Sequence, residues 1–235
     1  MSHTPGVRQA QKQQSRRALM DAGLHLLEHQ NLSSLGMREV TREAGMSPAG
    51  FYRHFRDLAE LGVALVEESL ASLHAMIRAT LAEQGEAEAR IDRTVEVIAR
   101  YVREHRAHAR FLARERHGGV RPVREAIAAE LRRFAEEVAG ALGAQPESAG
   151  WSPEDVRMLA ELYVDHMVST AAAFLDAGPD GPGMDGSGSE GPGAGGPGSD
   201  GSREGCEGEA ERRIARTARI QLRLIGVGRR HWLDS

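Results

Sequence analysis

An all-α fold is what the sequence predicts, on three observations. Apolar residues recur at helical spacing in almost every ordered-looking segment, and no sustained period-two run of β-branched residues interrupts them. Serine followed by proline, a helix cap followed by the residue best suited to a first helical position, occurs at Ser47-Pro48 and again at Ser152-Pro153. A capping box, Asp57 with Glu60 reaching back, opens the longest apolar-periodic stretch.

Taken in order, a first helix over 14–29 carries Leu19, Ala22, Gly23, Leu26 and Leu27 on one face. A short second helix covers about 37–44, and a third begins at Ser47. The long helix after Asp57 runs through Val63, Val66, Leu70, Leu73 and Ile77. Further helices are expected at about 88–104, 105–117, 120–142 with Pro122 near its start, and 153–176. Residues 177–208 are nearly devoid of apolar side chains and cannot offset their own ordering entropy, so a disordered, acidic Gly/Pro/Ser linker is expected there. A last helix, about 209–231, puts Ile214, Ala218, Ile225 and Trp232 on one side and Ile220, Leu224 and Val227 on a neighbouring one, so more than one neighbour should cover it.

Composition bounds the function. With 235 residues, 40% apolar and 27% charged, the chain suits one or two compact domains with room for a cavity. The N-terminus is too polar for a signal peptide, and no apolar run approaches the roughly 18 residues that cross a bilayer, so a cytoplasmic protein without membrane contact is expected. The single cysteine, Cys206, excludes a disulfide framework and reads as a free surface thiol. The net charge of −4 hides two basic ends. Residues 1–17 carry Arg8, Lys12, Arg16 and Arg17 and no acid. Residues 209–235 hold seven arginines against three acids, and residues 177–208 hold six acids against Arg203. Because phosphate attraction is local, an acidic total does not exclude nucleic acid.

The stretch "GMREVTREAGMSPAGFYRHF", 36–55, carries the strongest functional signal. Ala44 lets two helices cross closely, Gly45 can take a positive φ, Met46 plugs the corner, Ser47 caps the new helix and Pro48 fits its first position. That is helix-turn-helix grammar, although an ordinary helical corner would use the same residues. Val40, Phe51 and Phe55 face inward. Arg38, Ala49, Gly50, Tyr52, Arg53 and His54 are left for the exposed side or ends, where a recognition helix meets base edges and flanking donors hold phosphates. Gly50 costs roughly 1 kcal/mol within a helix, which a close approach to DNA would explain, as would drift.

With its basic arm and long following helix, "SLGMREVTREAGMSPAGFYRHFRDLAELGVALVEES" resembles the N-terminal domain of the TetR family of bacterial repressors, over about residues 10–70. The resemblance implies an all-helical homodimer of about nine helices. It would comprise a basic arm (1–13), a DNA-binding domain (14–56), a helical ligand-binding and dimerisation domain (57–176), the linker and a C-terminal helix (209–235). It implies a double-stranded DNA operator and a hydrophobic small-molecule effector, with no cofactor and no catalysis. Carried over by motif position, Arg38, Ser47, Ala49, Gly50, Tyr52, Arg53 and His54 are the candidate DNA contacts, Tyr52 and His54 on phosphates. Gly36 departs from the serine or threonine cap common there. "AGFYRHFRDLAELG", "FLARERHGG" and "QLRLIGVGRRHW" are similar to the FabR-type repressors of unsaturated fatty acid synthesis. That implies a lipid-gene repressor sensing a long-chain acyl thioester, acyl-CoA or acyl-carrier protein. A repressor of an efflux or catabolic gene, sensing a drug-like molecule or small metabolite, is the alternative.

Other features compete. "HLLEH", with His25, Glu28 and His29, matches the H-x-x-E-H pattern of inverted zinc proteases, but no third ligand is identifiable and no metal is expected; two boundary histidines are the bland alternative. Tyr101, Phe111, Phe134, Met158, Tyr163, His166 and Met167 are the candidate pocket residues, all also readable as plain core. Arg114, Glu115 and Arg116 read equally as a patch at a pocket mouth or as a solvated face. Arg212, Arg216, Arg219, Arg223 and Arg230 form a basic stripe on the last helix, readable as a solvated face, an acidic-partner contact or a clasp on the acidic linker.

Overall fold

The computed structural model describes residues 5–82, 86–178 and 200–231. Among the described residues there are nine α-helices, a short 3-10 turn at Pro146–Ser148 and no strand. The helices are α1 (Pro5–Leu26), α2 (Met37–Glu43), α3 (Pro48–Phe51), α4 (Leu58–Ala82), α5 (Ala87–Glu104), α6 (Arg106–Glu115), α7 (Arg121–Gly143), α8 (Pro153–Asp176) and α9 (Asp200–His231). They divide into two compact units, one of residues 1–72 and 107–131, the other of 73–106 and 132–235. No helix among the described residues is long and apolar enough to cross a membrane.

The helix starts follow the local chemistry. Ser47 Oγ accepts the Gly50 N–H at 3.2 Å, and Ser152 Oγ accepts that of Asp155 at 3.1 Å. Before α4, Asp57 Oδ1 accepts the Glu60 N–H at 2.8 Å while Glu60 Oε2 accepts the Arg56 N–H at 2.7 Å, so the reciprocal cap reaches one residue further back than expected. At α2, Gly36 has no side chain to offer. Glu39 Oε2 accepts the Gly36 N–H at 2.9 Å, so only the returning half of a box remains.

Two helices extend beyond their expected starts. α1 begins at Pro5 rather than 14, because the Gln-, Arg- and Lys-rich run from Arg8 to Arg17 consists of good helix formers with no breaker inside it. α9 begins at Asp200, inside the stretch read as linker; residues 179–199 of that stretch, and Trp232, lie outside the described residues.

In the first unit α1, α2, α3, the first part of α4, α6 and the start of α7 share one apolar core. Leu19, Val40, Phe51, Phe55, Leu61 and Phe111 are buried at its centre. Phe111, expected near a pocket, belongs to this core. Of Arg114, Glu115 and Arg116, the first two, at the end of α6, take a role different from either one expected. The Arg114 guanidinium donates to the carbonyls of Leu27 (2.9 Å) and Gln30 (2.8 Å), and buried Glu115 Oε1 accepts the Leu32 N–H at 2.9 Å. These two side chains satisfy backbone groups of the connection that follows α1.

In the second unit α5, α8 and α9 pack on one another. Buried Val95, Ile98, Tyr101, Ala160, Val164 and Leu222 come from all three helices. Toward the other side His74 stacks on Phe134, ring centroids 4.2 Å apart and 5° from parallel.

Candidate DNA-binding face and effector cavity

The turn between α2 and α3 is set by Gly45, whose φ of 64° lies in the left-handed region that favours glycine. Met46 donates its N–H to Thr41 O at 2.8 Å and packs against the core, which fixes the corner. Phe51 and Phe55 anchor α3 from beneath, with Arg16 Cζ 4.6 Å from the Phe55 ring centroid.

What remains outside is short and polar. Arg38, Ser47, Ala49, Tyr52 and Arg53 are exposed, Tyr52 to 60%, and His54 is half-buried. Gly50, expected on the exposed side, is instead buried. A Cβ there would come within 3.1 Å of Met46 Cε, so the residue gives the corner methionine its space.

His54 and Arg53 line a groove with Gln9, Lys12, Gln13 and Arg16 of α1. Burial, and then the charges of Lys12, Arg16 and Arg53, hold the His54 imidazole below its ordinary range; its Nδ1 is buried without a hydrogen bond. The ring is therefore neutral at neutral pH while surrounded by cations. Lys12, Gln9 and Gln13 were missed as groove residues because the sequence assigned them to an arm. The Arg8, Lys12, Arg16 spacing of four was the available signal.

His25, Glu28 and His29 do not converge on a metal. His25 Nδ1 lies 2.9 Å from Glu43 Oε1, Arg110 approaches Glu28 at 3.9 Å, and no group of three potential ligands forms among the described residues.

The second unit holds a cavity of about 150 Å³ between α5, α7, α8 and α9. Ile91, Val138, Leu142, Met167 and Leu222 are among its apolar lining, and Glu88, Arg90, Thr94, Glu147, Tyr163 and Arg229 among its polar one. Of the seven pocket candidates, Tyr163 and Met167 line it. Tyr101 and Phe134 are buried in the second unit, and Met158 is half exposed on α8. His166 is half-buried, its carbonyl accepting from Thr170 Oγ1 at 2.9 Å. A second, more polar groove of about 440 Å³ runs beside α5 and α9. Its charges pair with one another, Arg103 with Glu211 at 3.2 Å and Arg219 with Glu96 at 3.7 Å. Arg223, also of the stripe, meets Glu88 of α5 at 3.6 Å, whereas Arg212 and Arg216 stay exposed.

Arg229 was missed in sequence, one position from the stripe. It is only 7% exposed. It donates to Gln145 Oε1 at 2.8 Å, to the Leu142 carbonyl at 2.9 Å and to Ser148 Oγ, pinning α9 to the end of α7 and the 3-10 turn.

Residues 19–65 match the model of the bacterial regulatory proteins, tetR family, and residues 87–185 match the tetracyclin repressor-like C-terminal domain. The chain belongs to the TetR family. It is a ligand-responsive DNA-binding transcriptional regulator. Solved TetR-like structures share the fold at low identity. The fatty acid degradation regulator FadR from Bacillus halodurans is 14% identical, with 73% of this chain and 84% of that one covered at a TM-score of 0.57. FadR from Bacillus subtilis, in complex with stearoyl-CoA, is 13% identical, with 68% and 95% covered at 0.54. NalD, the secondary repressor of the MexAB-OprM multidrug efflux pump in Pseudomonas aeruginosa, is 16% identical, with 71% and 86% covered at 0.53.

Proposed function

We propose that this TetR-family chain is a homodimeric repressor that reads its operator with α3 and releases or holds it according to a small effector bound in the second unit. The observation that carries the DNA half is the head itself: a serine-capped helix, held from below by two phenylalanines, with Ala49 toward base edges and Tyr52, Arg53 and His54 beside a groove lined by Lys12 and Arg16. Arg38 and Ser47 flank it as phosphate donors. Gly50 supports this face rather than forming part of it. The two copies join through α8 and α9, where Met158, Leu162, Ile220, Leu224 and Val227 stand exposed.

The sequence favours a lipid-gene repressor sensing a long-chain acyl thioester, and the stearoyl-CoA complex of Bacillus subtilis FadR is of that kind. The cavity favours the other reading, a small metabolite. At about 150 Å³ the cavity is close in size to a site that takes up benzene.

Selection of bound fragments from the source genome, followed by footprinting, tests the proposal. Protection of a two-fold symmetric site with half-sites about 34–36 Å apart is expected. Absence of any selected site would overturn it.

A further inference from the structure

The cavity of the second unit has its charged groups engaged and one polar group open. The Arg229 guanidinium spends both terminal nitrogens on Gln145, Leu142 and Ser148, Arg90 is engaged within the chain, and Arg223 meets Glu88 at 3.6 Å. Glu147 stands exposed at the mouth. An ion moving inside would give up its hydration with no open charged partner to replace it. The Tyr163 hydroxyl differs: it hydrogen-bonds to no described residue, and burial keeps its proton on. Arg229 and Arg90 act on it as positive charges, so its oxygen lone pairs are drawn toward them and its hydrogen is left to donate elsewhere. Facing it on α9 is Gly226, where a Cβ would meet the Tyr163 hydroxyl at 3.7 Å and, beyond its own helix, nothing else within 4 Å. Glycine inside a helix is unfavourable relative to alanine, and what it leaves at this place is room in front of the hydroxyl.

We infer that this cavity takes an uncharged, ring-sized molecule bearing a carbonyl oxygen, which accepts from the Tyr163 hydroxyl while the ring lies on Ile91, Val138 and Met167. Each part of the assignment has its own cause. A volume of about 150 Å³ suits a single ring, and the apolar wall gains from covering ring carbon. A carbonyl brings an acceptor and no charge, which is what a donor in a cavity of engaged ions can use. Gln145, which also lines the cavity, gives its Oε1 to Arg229 and has amide N–H groups with no described partner, a second donor for the same oxygen. The mouth is wet, since Glu88, Glu147, Arg223 and Val227 are exposed, so the ligand has an entry route. This inference rests on the small-effector reading above and gives that effector a chemical class.

The test is calorimetric titration of the full-length protein with acetophenone, beside ethylbenzene, which lacks the oxygen, benzoate, which carries a charge in its place, and the long-chain palmitoyl-CoA. Acetophenone should bind saturably, and benzoate more weakly by about tenfold or more, because its charge loses water without gaining a partner. Tyr163→Phe keeps the ring and removes the donor, so it should weaken acetophenone by about three- to tenfold and leave ethylbenzene unchanged. A merely structural role for Tyr163 would weaken both alike. Gly226→Leu, which projects into the cavity toward Tyr163, should abolish acetophenone binding while the circular dichroism melt still shows a cooperative fold. The inference is overturned by benzoate binding as tightly as acetophenone, by binding of palmitoyl-CoA alone, or by undiminished acetophenone binding in a folded Gly226→Leu. It is overturned equally by a Tyr163→Phe that spares acetophenone or weakens it no more than ethylbenzene, a comparison that stands whether or not Gly226→Leu folds. Because the titration needs no DNA, protein that selects an operator but ignores acetophenone sinks this inference alone. Protein that selects no operator sinks the repressor reading whatever it binds.

Discussion

Glu115, at the end of α6, accepts the backbone N–H of Leu32 at 2.9 Å, across 83 positions of chain. The bond is buried, and Leu32 lies midway along the connection from α1 to α2. A backbone N–H left there without an acceptor keeps its full desolvation penalty. Glu115→Ala is expected to lower stability by about 1–3 kcal/mol by that route, and by more where the vacated space stays open. Glu115→Gln keeps an acceptor oxygen and should cost clearly less. Urea denaturation of both variants checks this; equal losses would mean that the carboxylate, rather than the accepted hydrogen bond, matters.

His74 gives stability a pH dependence. Its ring, 2% exposed and stacked on Phe134, is pushed down to about 4, first by burial, with Arg133 and Arg78 adding to the shift and Glu137 opposing it. A depressed histidine is neutral when folded, so the unfolded chain binds the extra proton. Its contribution is therefore complete above about pH 6.5 and is lost as pH falls toward 4, worth up to about 3 kcal/mol over that window. His74→Phe keeps the stacked ring and removes the titration. Denaturation midpoints at pH 4.5 and 7.5 should differ less in this variant than in the wild type, and an unchanged difference would clear His74 of the role.

The parts legible in sequence were those fixed by local chemistry. Ser47, Pro48, Gly45 and Ser152 act within a turn of their own position, and the structure gives each the geometry its residue type requires. The ends of α1 and α9 were less legible, because a run of helix formers such as residues 8–17 reads equally as a basic arm when no apolar face marks it. Arg114, Glu115 and Arg229 were illegible for a different reason. Each answers backbone groups more than 80 positions away, and nothing in a charged residue's own neighbourhood says that it will be buried. Tyr163 and Met167 were found as pocket candidates because aromatic and sulfur side chains on an apolar face are a fair guess at any cavity wall. Arg229, which lines the same cavity, stood one position outside the arginine stripe that sequence periodicity picked out.

Leu224 tests the assembly. It is 65% exposed on α9, with Ile220 and Val227 beside it and Met158 and Leu162 exposed on α8, more large apolar surface than a solvated helix pair needs. Leu224→Arg is expected to convert dimer to monomer in light scattering at micromolar concentration, and to abolish operator binding, since one head alone cannot span two half-sites. Retention of a dimer by Leu224→Arg and by Leu162→Arg alike would place the interface elsewhere.

Phosphate and base contacts leave different signatures on the reading head. A side chain that holds phosphate displaces counterions, so its loss weakens binding to all sequences and flattens the dependence on salt. A side chain at a base edge changes which sequence is preferred. Arg53→Ala should therefore reduce the slope of log affinity against log salt by about 1, and Tyr52→Phe should weaken binding without altering preference. Ala49→Thr should shift base preference at one position per half-site by about 1–3 kcal/mol. His54 adds a proton to this balance. Burial and three nearby cations hold it neutral in the free protein, so a phosphate arriving in its groove raises its proton affinity, and binding takes up a proton. Affinity should therefore strengthen as pH falls from 7.5 toward 6, and His54→Gln should remove that part of the gain. Fluorescence anisotropy with a selected operator measures all four variants, and a Tyr52→Phe protein that changes preference while keeping its affinity would reverse the assignment of roles.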